Sequence, residues 1–172
     1  MVAHTLVVGG TGMLSGLCEA LAGDGGRLSL LSRQASGPDG FGCDYYDRAS
    51  FSAALDAAVA RSGPISLAVA WFHTLKIEAP RLLAQQVEGR LFQVLGSAAA
   101  DPSHPWRLET AQKVADGLPG CALRQVVLGF KVEAGGSRWL TNAEISDGVL
   151  DAVRTDAPLS IVGQTKPWSA RP

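Results

Sequence analysis

A cluster of glycines near the start of the chain has the composition of a phosphate-binding turn. Its residues are Gly9, Gly10, Thr11, Gly12, Met13, Leu14, Ser15 and Gly16. Against the pattern GxGxxG, Gly10 and Gly12 match and Ser15 stands at the third position. Glycine lets a pyrophosphate approach the backbone, since no Cβ intervenes, and a following helix offers it free N–H groups. We therefore expect residues 9–14 to contact a dinucleotide; the alternative is a tight structural turn without a ligand.

The end of the next apolar segment indicates which dinucleotide would bind. A site for NAD(H) usually carries an Asp or Glu there, which accepts a hydrogen bond from the ribose 2′-hydroxyl. Here the segment ends in Ser32 and Arg33, and the first acidic residue that follows is Asp39. A guanidinium can pair with a 2′-phosphate, and a serine hydroxyl can donate to it. The sequence therefore predicts a preference for NADP(H), with NAD(H) as the alternative.

Groups that could transfer protons follow two later apolar segments. His73 comes directly after the strongest of them, residues 65–72, and histidine titrates close to neutral pH. Ser97 follows another segment and could donate a hydrogen bond to a substrate carbonyl. Trp71 could stack on a cofactor ring, although a tryptophan buried on a central strand is commoner. We take His73 and Ser97 as candidate catalytic residues, and Lys131 as a further group that could reach a cofactor.

Alternating apolar segments and helical patterns must position these residues. Strands are predicted at residues 5–8, 28–31, 43–46, 65–72, 90–95, 123–128 and 159–162, and helices at 13–22, 48–60, 80–87, 106–116 and 142–153. A hairpin is predicted at residues 131–140. Such alternation favours a parallel sheet with helices on both faces. We therefore predict an α/β fold, a single-domain Rossmann-type doubly wound sheet of six or seven strands over residues 1–165, followed by a tail at 166–172.

The composition argues against several classes of function. A chain of 172 residues that is 47% apolar can form one domain with a sizeable core. The net charge of −1 gives no basic stripe for a nucleic acid. The longest apolar run is too short to span a bilayer, and the three cysteines lack the paired spacing of a disulfide framework or a zinc site. We expect a cytoplasmic protein without a nucleic-acid, membrane or metal partner.

The string VVGGTGMLSG resembles the cofactor turn of the short-chain dehydrogenase/reductase (SDR) family, close to the GGTGxxG form of its atypical branches. Further likenesses are Asp44 after the third strand, Gly63-Pro64 before the fourth, Gly96-Ser97 after the fifth and Gly129 after the sixth. The resemblance implies a Rossmann fold that binds NAD(P) as its dinucleotide cofactor. It places Asp44, with the adjacent Tyr45, beside the adenine and gives Ser97 a catalytic position. It also implies that copies of the chain pair into a homo-oligomer.

The chain departs from the family at the residues that perform its chemistry. Family enzymes use a Tyr-x-x-x-Lys pair on the helix after the fifth strand, and Thr110 and Val114 fall at those positions here. Threonine is too weak an acid to replace the tyrosine. The family's Asn-Asn-Ala-Gly after the fourth strand is replaced by Ala70, Trp71, Phe72 and His73. Ordinary carbonyl chemistry would therefore need other residues.

Three functions remain open at this stage. The first is an atypical NADP(H)-dependent SDR oxidoreductase that transfers hydride to or from an unknown small-molecule substrate, helped by Ser97 and His73. The second is a non-catalytic NADP(H)-binding sensor or regulatory subunit, which the missing Tyr-x-x-x-Lys pair favours. The third is a structural or assembly protein without a nucleotide, which Ser15 keeps open because it interrupts the glycine pattern.

Overall fold

The computed structural model describes residues 2–73 and 76–172, and its elements alternate as predicted. The strands are β1 His4–Val8, β2 Arg27–Ser32, β3 Gly40–Gly42, β4 Ile65–Trp71, β5 Val87–Leu95, β6 Cys121–Leu128, β7 Phe130–Glu133, β8 Gly136–Trp139 and β9 Leu159–Val162. The α-helices are α1 Ser15–Ala22, α2 Arg48–Ser62, α3 Glu78–Gln86, α4 Trp106–Gln112 and α5 Asn142–Thr155. Short 3-10 turns lie at Ser97–Ala100, Lys113–Ala115 and Trp168–Ala170.

Seven strands form one parallel sheet in the order β3-β2-β1-β4-β5-β6-β9. The chain starts at β1, builds outward to β3, and then returns to place β4 against the other side of β1. The strand order therefore reverses between β1 and β4, and open α/β sheets bind ligands at the carboxyl ends of the strands at such a point. β7 and β8 pair antiparallel outside this sheet, as the predicted hairpin requires. The α/β Rossmann-type fold is confirmed.

Helices cover both faces of the sheet. On one face α1 and α5 pack against side chains such as Val69 and Phe92. On the other face α2 and α3 pack around residues such as Phe51 and Leu83. Two caps fix the helix starts: Asp47 accepts from two backbone N–H groups at the start of α2, and Thr141 forms a capping box at the start of α5. The sheet is thus held rigid beneath its carboxyl edge.

The third strand lies earlier in the chain than predicted. Its expected place was residues 43–46, whereas β3 comprises Gly40–Gly42 and pairs with the end of β2. The reason is a turn in which Gly37 adopts a positive φ of 84° and brings the chain back along β2 within three residues. Residues 43–46 instead form the loop into α2. This shift carries Asp44 and Tyr45 beyond the strand, to the carboxyl edge.

Candidate functional site

The glycine turn joins β1 to α1, and its first three glycines differ in whether the fold requires a glycine there. Gly9 adopts a φ of +83°, a conformation that L side chains rarely take. Gly10 lies so close to α1 that a Cβ there would stand 2.6 Å from the Cys18 sulfur. Gly12, by contrast, faces open space, with no atom within 4 Å of an added Cβ. Helix packing therefore explains Gly10, whereas nothing inside the protein requires glycine at Gly12.

The turn is fixed from both sides. The Gly9 N–H donates to the carbonyl of Leu31 at the end of β2, 3.0 Å away. The Ser146 hydroxyl of α5 donates to the Met13 carbonyl at 2.9 Å. Leu14 is completely buried, main chain as well as side chain, so it supports the turn from the core, and its contact with a dinucleotide remains a prediction. A preorganised backbone of this kind is what an anion site at a helix N-terminus needs.

A cavity of about 390 Å³, which we call the first cavity, lies against the turn. Its walls include Gly9, Thr11, Gly12 and Met13 on one side, and Ser32, Arg33, Tyr45, Trp71 and His73 on the other. The Thr11 hydroxyl donates to the Ser32 hydroxyl at 3.4 Å across the mouth. Arg33 is exposed at the rim. The structure thus brings the glycine turn together with most of the residues predicted to bind a cofactor.

Asp44 supports this wall rather than lining it. Its carboxylate accepts a hydrogen bond from the Tyr46 N–H at 2.9 Å, and its own N–H donates to the Ser50 hydroxyl at 3.1 Å. These bonds shape the turn that presents Tyr45 to the first cavity. A contact of Asp44 with an adenine remains a prediction.

Two tyrosine hydroxyls hold the backbone of His73, a contact that the sequence did not reveal. The Tyr45 hydroxyl accepts from the His73 N–H at 3.0 Å, and the Tyr46 hydroxyl donates to the His73 carbonyl at 2.6 Å. Burial raises the pKa of Tyr45 above its usual value, so this phenol stays neutral across the physiological range. The segment after β4 is therefore anchored while the exposed His73 ring remains at the cavity wall.

Trp71 lies across the carboxyl ends of three strands. A Cβ on Gly9 would stand 3.6 Å from its Cδ1, and a Cβ on Gly96 would stand 3.3 Å from its Cη2. The indole therefore reaches from the end of β1 to the end of β5. It also meets the His73 ring edge to face, with centroids 4.9 Å apart. Trp71 and His73 form the partition between the first cavity and its neighbour.

That neighbour, the second cavity, has a volume of about 300 Å³ and lies over the ends of β4 and β5. Trp71 and His73 line it as well as the first cavity. Its other polar lining residues are Lys76, Gln93 and Arg107. Gln93 is buried, and its side-chain oxygen accepts from Gln125 at 3.4 Å. Sequence reasoning missed Gln93 and Arg107; a polar residue within the apolar β5 segment was the available signal for Gln93.

The helix after β5 presents unexpected residues to this cavity. Arg107 and Ala111, one turn apart on α4, are among its lining residues, whereas Thr110 and Val114 are not. Val114 is fully buried in the core below. The face that carries a Tyr-x-x-x-Lys pair in the resembled family therefore carries an arginine and an alanine here.

Ser97 does not line either of these two cavities. It opens the 3-10 turn after β5 and borders a third cavity of about 230 Å³, together with Gly129 and Trp139. Gly96 lines both the second and the third cavity, so Ser97 stands on the far side of Gly96 from His73. The two candidate catalytic residues are thus separated.

The side chain of Lys131 forms an ion pair with Glu144. Its ammonium lies 2.5 Å from the Glu144 carboxylate, which also pairs with Arg138 at 2.9 Å. These contacts hold the hairpin to α5 and lower the pKa of Glu144 well below its usual range, mainly through the hydrogen bond from Arg138. Lys131 therefore serves the hairpin anchor.

Other site chemistries find little support in the residues that the structure describes. Cys18 and Cys43 are buried, which raises the pKa of each thiol to about 11, so neither is an activated nucleophile. Within the described ranges no three His, Cys, Asp or Glu side chains gather where they could hold a metal ion. No helix of residues 2–73 and 76–172 has the length and apolar character needed to cross a membrane.

No protein-family model and no curated protein matches the sequence, but many solved structures share the fold. A 3-alpha-hydroxysteroid dehydrogenase from Pseudomonas sp. B-0831, complexed with NADH, aligns at 14% identity and a TM-score of 0.66 over 95% of this chain and 96% of its own. A mutant short-chain dehydrogenase/reductase from Serratia marcescens aligns at 15% identity and a TM-score of 0.67, over 94% of this chain and 96% of its own. An oxidoreductase of that family from Brucella ovis, with a partially ordered NAD, aligns at 15% and 0.61 over 95% and 100%. The chain therefore has the Rossmann fold of short-chain dehydrogenase/reductase structures.

Proposed function

We propose that this chain is an NADP(H)-dependent oxidoreductase that acts on a small substrate without a Tyr-x-x-x-Lys pair. The observation that carries the proposal is the pair of adjoining cavities at the carboxyl edge of the sheet. One lies against the glycine turn, the other lies beside it, and Trp71 and His73 border both. An oxidoreductase needs this arrangement, because cofactor and substrate must meet at one wall.

The residues of the first cavity fit a dinucleotide. Gly12 leaves open the space that a Cβ would fill, and the main chain around it leads into the N-terminus of α1, where a pyrophosphate would bind. Ser32 and Arg33 at the rim would hold the 2′-phosphate of NADP(H), and Tyr45 would pack near the adenine. Two structural neighbours carry NADH or NAD in their crystals. The preference for NADP(H) rests on Arg33 and on the lack of an acid at the end of β2.

When bound, the nicotinamide would supply or accept a hydride. The chain's own contribution would then be positioning and the proton. His73 stands at the border of the two cavities, and Tyr45 and Tyr46 fix its backbone. Its imidazole is therefore our candidate for holding the proton that moves to or from the substrate oxygen. Ser97, which borders the third cavity, would contact the substrate or cofactor only from the far side of Gly96.

A second function, an NADP(H)-binding sensor or regulatory subunit, is favoured by one observation. Helix α4 turns Arg107 and Ala111, and no phenol, toward the second cavity. A protein that only reads the cofactor needs no proton donor there.

Binding and turnover separate these functions. We expect purified protein to enhance the fluorescence of NADPH more strongly than that of NADH, and then to consume NADPH with some member of a panel of carbonyls, imines and quinones. Binding without turnover would favour the sensor. No binding at millimolar cofactor would overturn both functions and leave a structural protein. Where turnover occurs, the His73→Ala and Ser97→Ala variants follow, and the assigned roles fail if neither lowers kcat.

A further inference from the structure

We infer that the second cavity is an organic-acid site, in which Arg107 binds the carboxylate of a small molecule with an apolar body. This inference deepens the proposed function, because it names the substrate class for the cavity beside the cofactor. It also stands on observations of its own, which concern the charge, the hydrogen bonding and the walls of the cavity.

The charge of the second cavity has one sign. His73, Lys76 and Arg107 contribute nitrogen bases or cations to its lining, and no acidic residue is among the lining residues that the structure describes. A cleft with walls of low polarity and one sign of charge concentrates the field that attracts an oppositely charged ligand. The cavity therefore favours an anion over a neutral molecule of the same shape.

Arg107 has a hydrogen-bond donor to spare. Its Nε is buried and makes no hydrogen bond with the described residues, the one such side-chain atom found among them. A buried donor without a partner destabilises the folded state, so native proteins seldom keep one without a functional reason. A carboxylate can bind the flat guanidinium through two parallel N–H groups. Nε is one of the donors that such a fork uses, and because protein atoms now cover it, a small rotation of the side chain, 24% of which is exposed, would bring it to the cavity surface.

Two long contacts, one of them an ion pair, hold the Arg107 guanidinium. Its Nη1 donates to the Ala98 carbonyl at 3.4 Å and stands 3.9 Å from the Asp101 carboxylate. That carboxylate is engaged more closely elsewhere, by His104 at 3.0 Å and by the Ser103 N–H at 2.9 Å. Both contacts of Arg107 are long, so its guanidinium can turn toward the cavity, and it shares the Asp101 carboxylate with His104.

The remaining walls suit an apolar body. Trp71, Phe72, Ile77, Leu95 and Ala99 line the cavity around the polar groups. At about 300 Å³ the space is at the small end of ligand sites. A small organic acid with an aromatic or branched aliphatic body matches this combination of size, apolar wall and cationic end.

Cofactor-free binding of benzoate tests the inference. Benzamide is its neutral isostere, and inorganic phosphate is an anion without an apolar body. We expect ligand-observed NMR to detect benzoate binding to the wild-type protein, with benzamide and phosphate at least ~10-fold weaker, since benzamide loses the charge-assisted hydrogen bonds and phosphate loses the apolar contacts. Equal affinity for benzamide, or tighter binding of phosphate, would overturn the assignment.

Variants of Arg107 locate the binding site. Arg107→Gln should weaken benzoate about 10- to 100-fold, and Arg107→Lys, which keeps the charge but loses the fork, should fall between. Arg154→Gln, an exposed position on the last turn of α5, is the matched control and should leave affinity unchanged. Should Arg107→Gln fail to fold, Arg107→Lys decides alone, and unchanged benzoate affinity in it would reject the site.

The same samples separate this inference from the proposed function. NADPH is titrated against the wild type and Arg107→Lys in parallel. If benzoate binds through Arg107 and NADPH does not bind, the acid site is supported and the oxidoreductase proposal is contradicted. NADPH binding without any benzoate binding would do the opposite.

Discussion

The first and second cavities share a wall but are built from different material. The first has the main chain of the glycine turn after β1 as one of its walls, and side chains such as Tyr45 and Trp71 form the rest. The second is made of side chains from β4, β5 and α4, among them Gln93 and Arg107. The glycine turn at the first cavity resembles that of the short-chain dehydrogenase/reductase family, whereas the side chains around the second cavity depart from the family's pattern. The same fold can thus keep the glycine turn while the neighbouring surface carries different side chains.

The substitution Gly12→Val is the strongest test of whether the first cavity binds a dinucleotide. A Cβ at this position meets no protein atom within 4 Å, so we expect the free energy of unfolding to change by less than ~1 kcal/mol. The same side chain would occupy the space of the pyrophosphate and should weaken NADPH about 100-fold. Fluorescence titration and urea unfolding measure the two effects on one sample.

Gly135→Val is the matched control for Gly12→Val. Gly135 lies in the hairpin turn, also faces open space, and is remote from the first cavity. It should leave both NADPH affinity and stability unchanged. If Gly12→Val also left the affinity unchanged, the turn would be purely structural.

Gly10→Ala should have the reverse signature, since this glycine serves packing. Its Cβ would stand 2.6 Å from the Cys18 sulfur and 3.2 Å from a Val7 methyl carbon, and such overpacking costs about 1–3 kcal/mol. In a Cys18→Ala background the same substitution should cost less than ~1 kcal/mol, because its main clash is gone. Urea unfolding of the four proteins in this cycle provides the measurement; equal costs in both backgrounds would contradict the packing role.

The same contrast explains what could be predicted from the sequence. The strand alternation, the turn at Gly9 and the hairpin follow from local patterns, and the structure confirms them. The third strand was misplaced because Gly37 turns the chain early. The partners of Arg107 and the tyrosine hydroxyls on His73 join residues from different elements, so no local pattern reveals them.

The substitution Arg33→Ala tests the rim of the first cavity, where a side chain rather than the main chain would contact the cofactor. We expect NADPH to weaken about 10- to 30-fold and NADH less than ~2-fold, because only NADPH carries the phosphate that the guanidinium would pair with. Arg61→Ala, at the exposed end of α2, is the control. An equal loss of both cofactors would contradict the assignment of Arg33 to the 2′-phosphate.

The smallest effect concerns the shared wall, where Tyr45→Phe removes the acceptor of the His73 N–H. Water can replace part of this half-buried bond, so the loss of stability at neutral pH should be ~1 kcal/mol or less. Tyr46→Phe is the comparison, and since Tyr46 is 63% exposed its cost should be near zero. Urea unfolding at neutral pH measures both.

The raised pKa of Tyr45 predicts the direction in which its contribution to stability changes with pH. The pKa of the Tyr45 phenol is raised above its usual 10.0, chiefly by burial, so the folded state disfavours the phenolate. Its contribution to stability should be fully present below pH 10.0 and lost as the pH rises through the higher folded pKa. The stability difference between wild type and Tyr45→Phe should therefore shrink on the alkaline side, while the NADPH affinity of the wild type shows no Tyr45-linked change between pH ~6 and ~9. A stability difference that grows with alkaline pH would mean that the phenolate, and not the neutral hydroxyl, holds His73 between the two cavities.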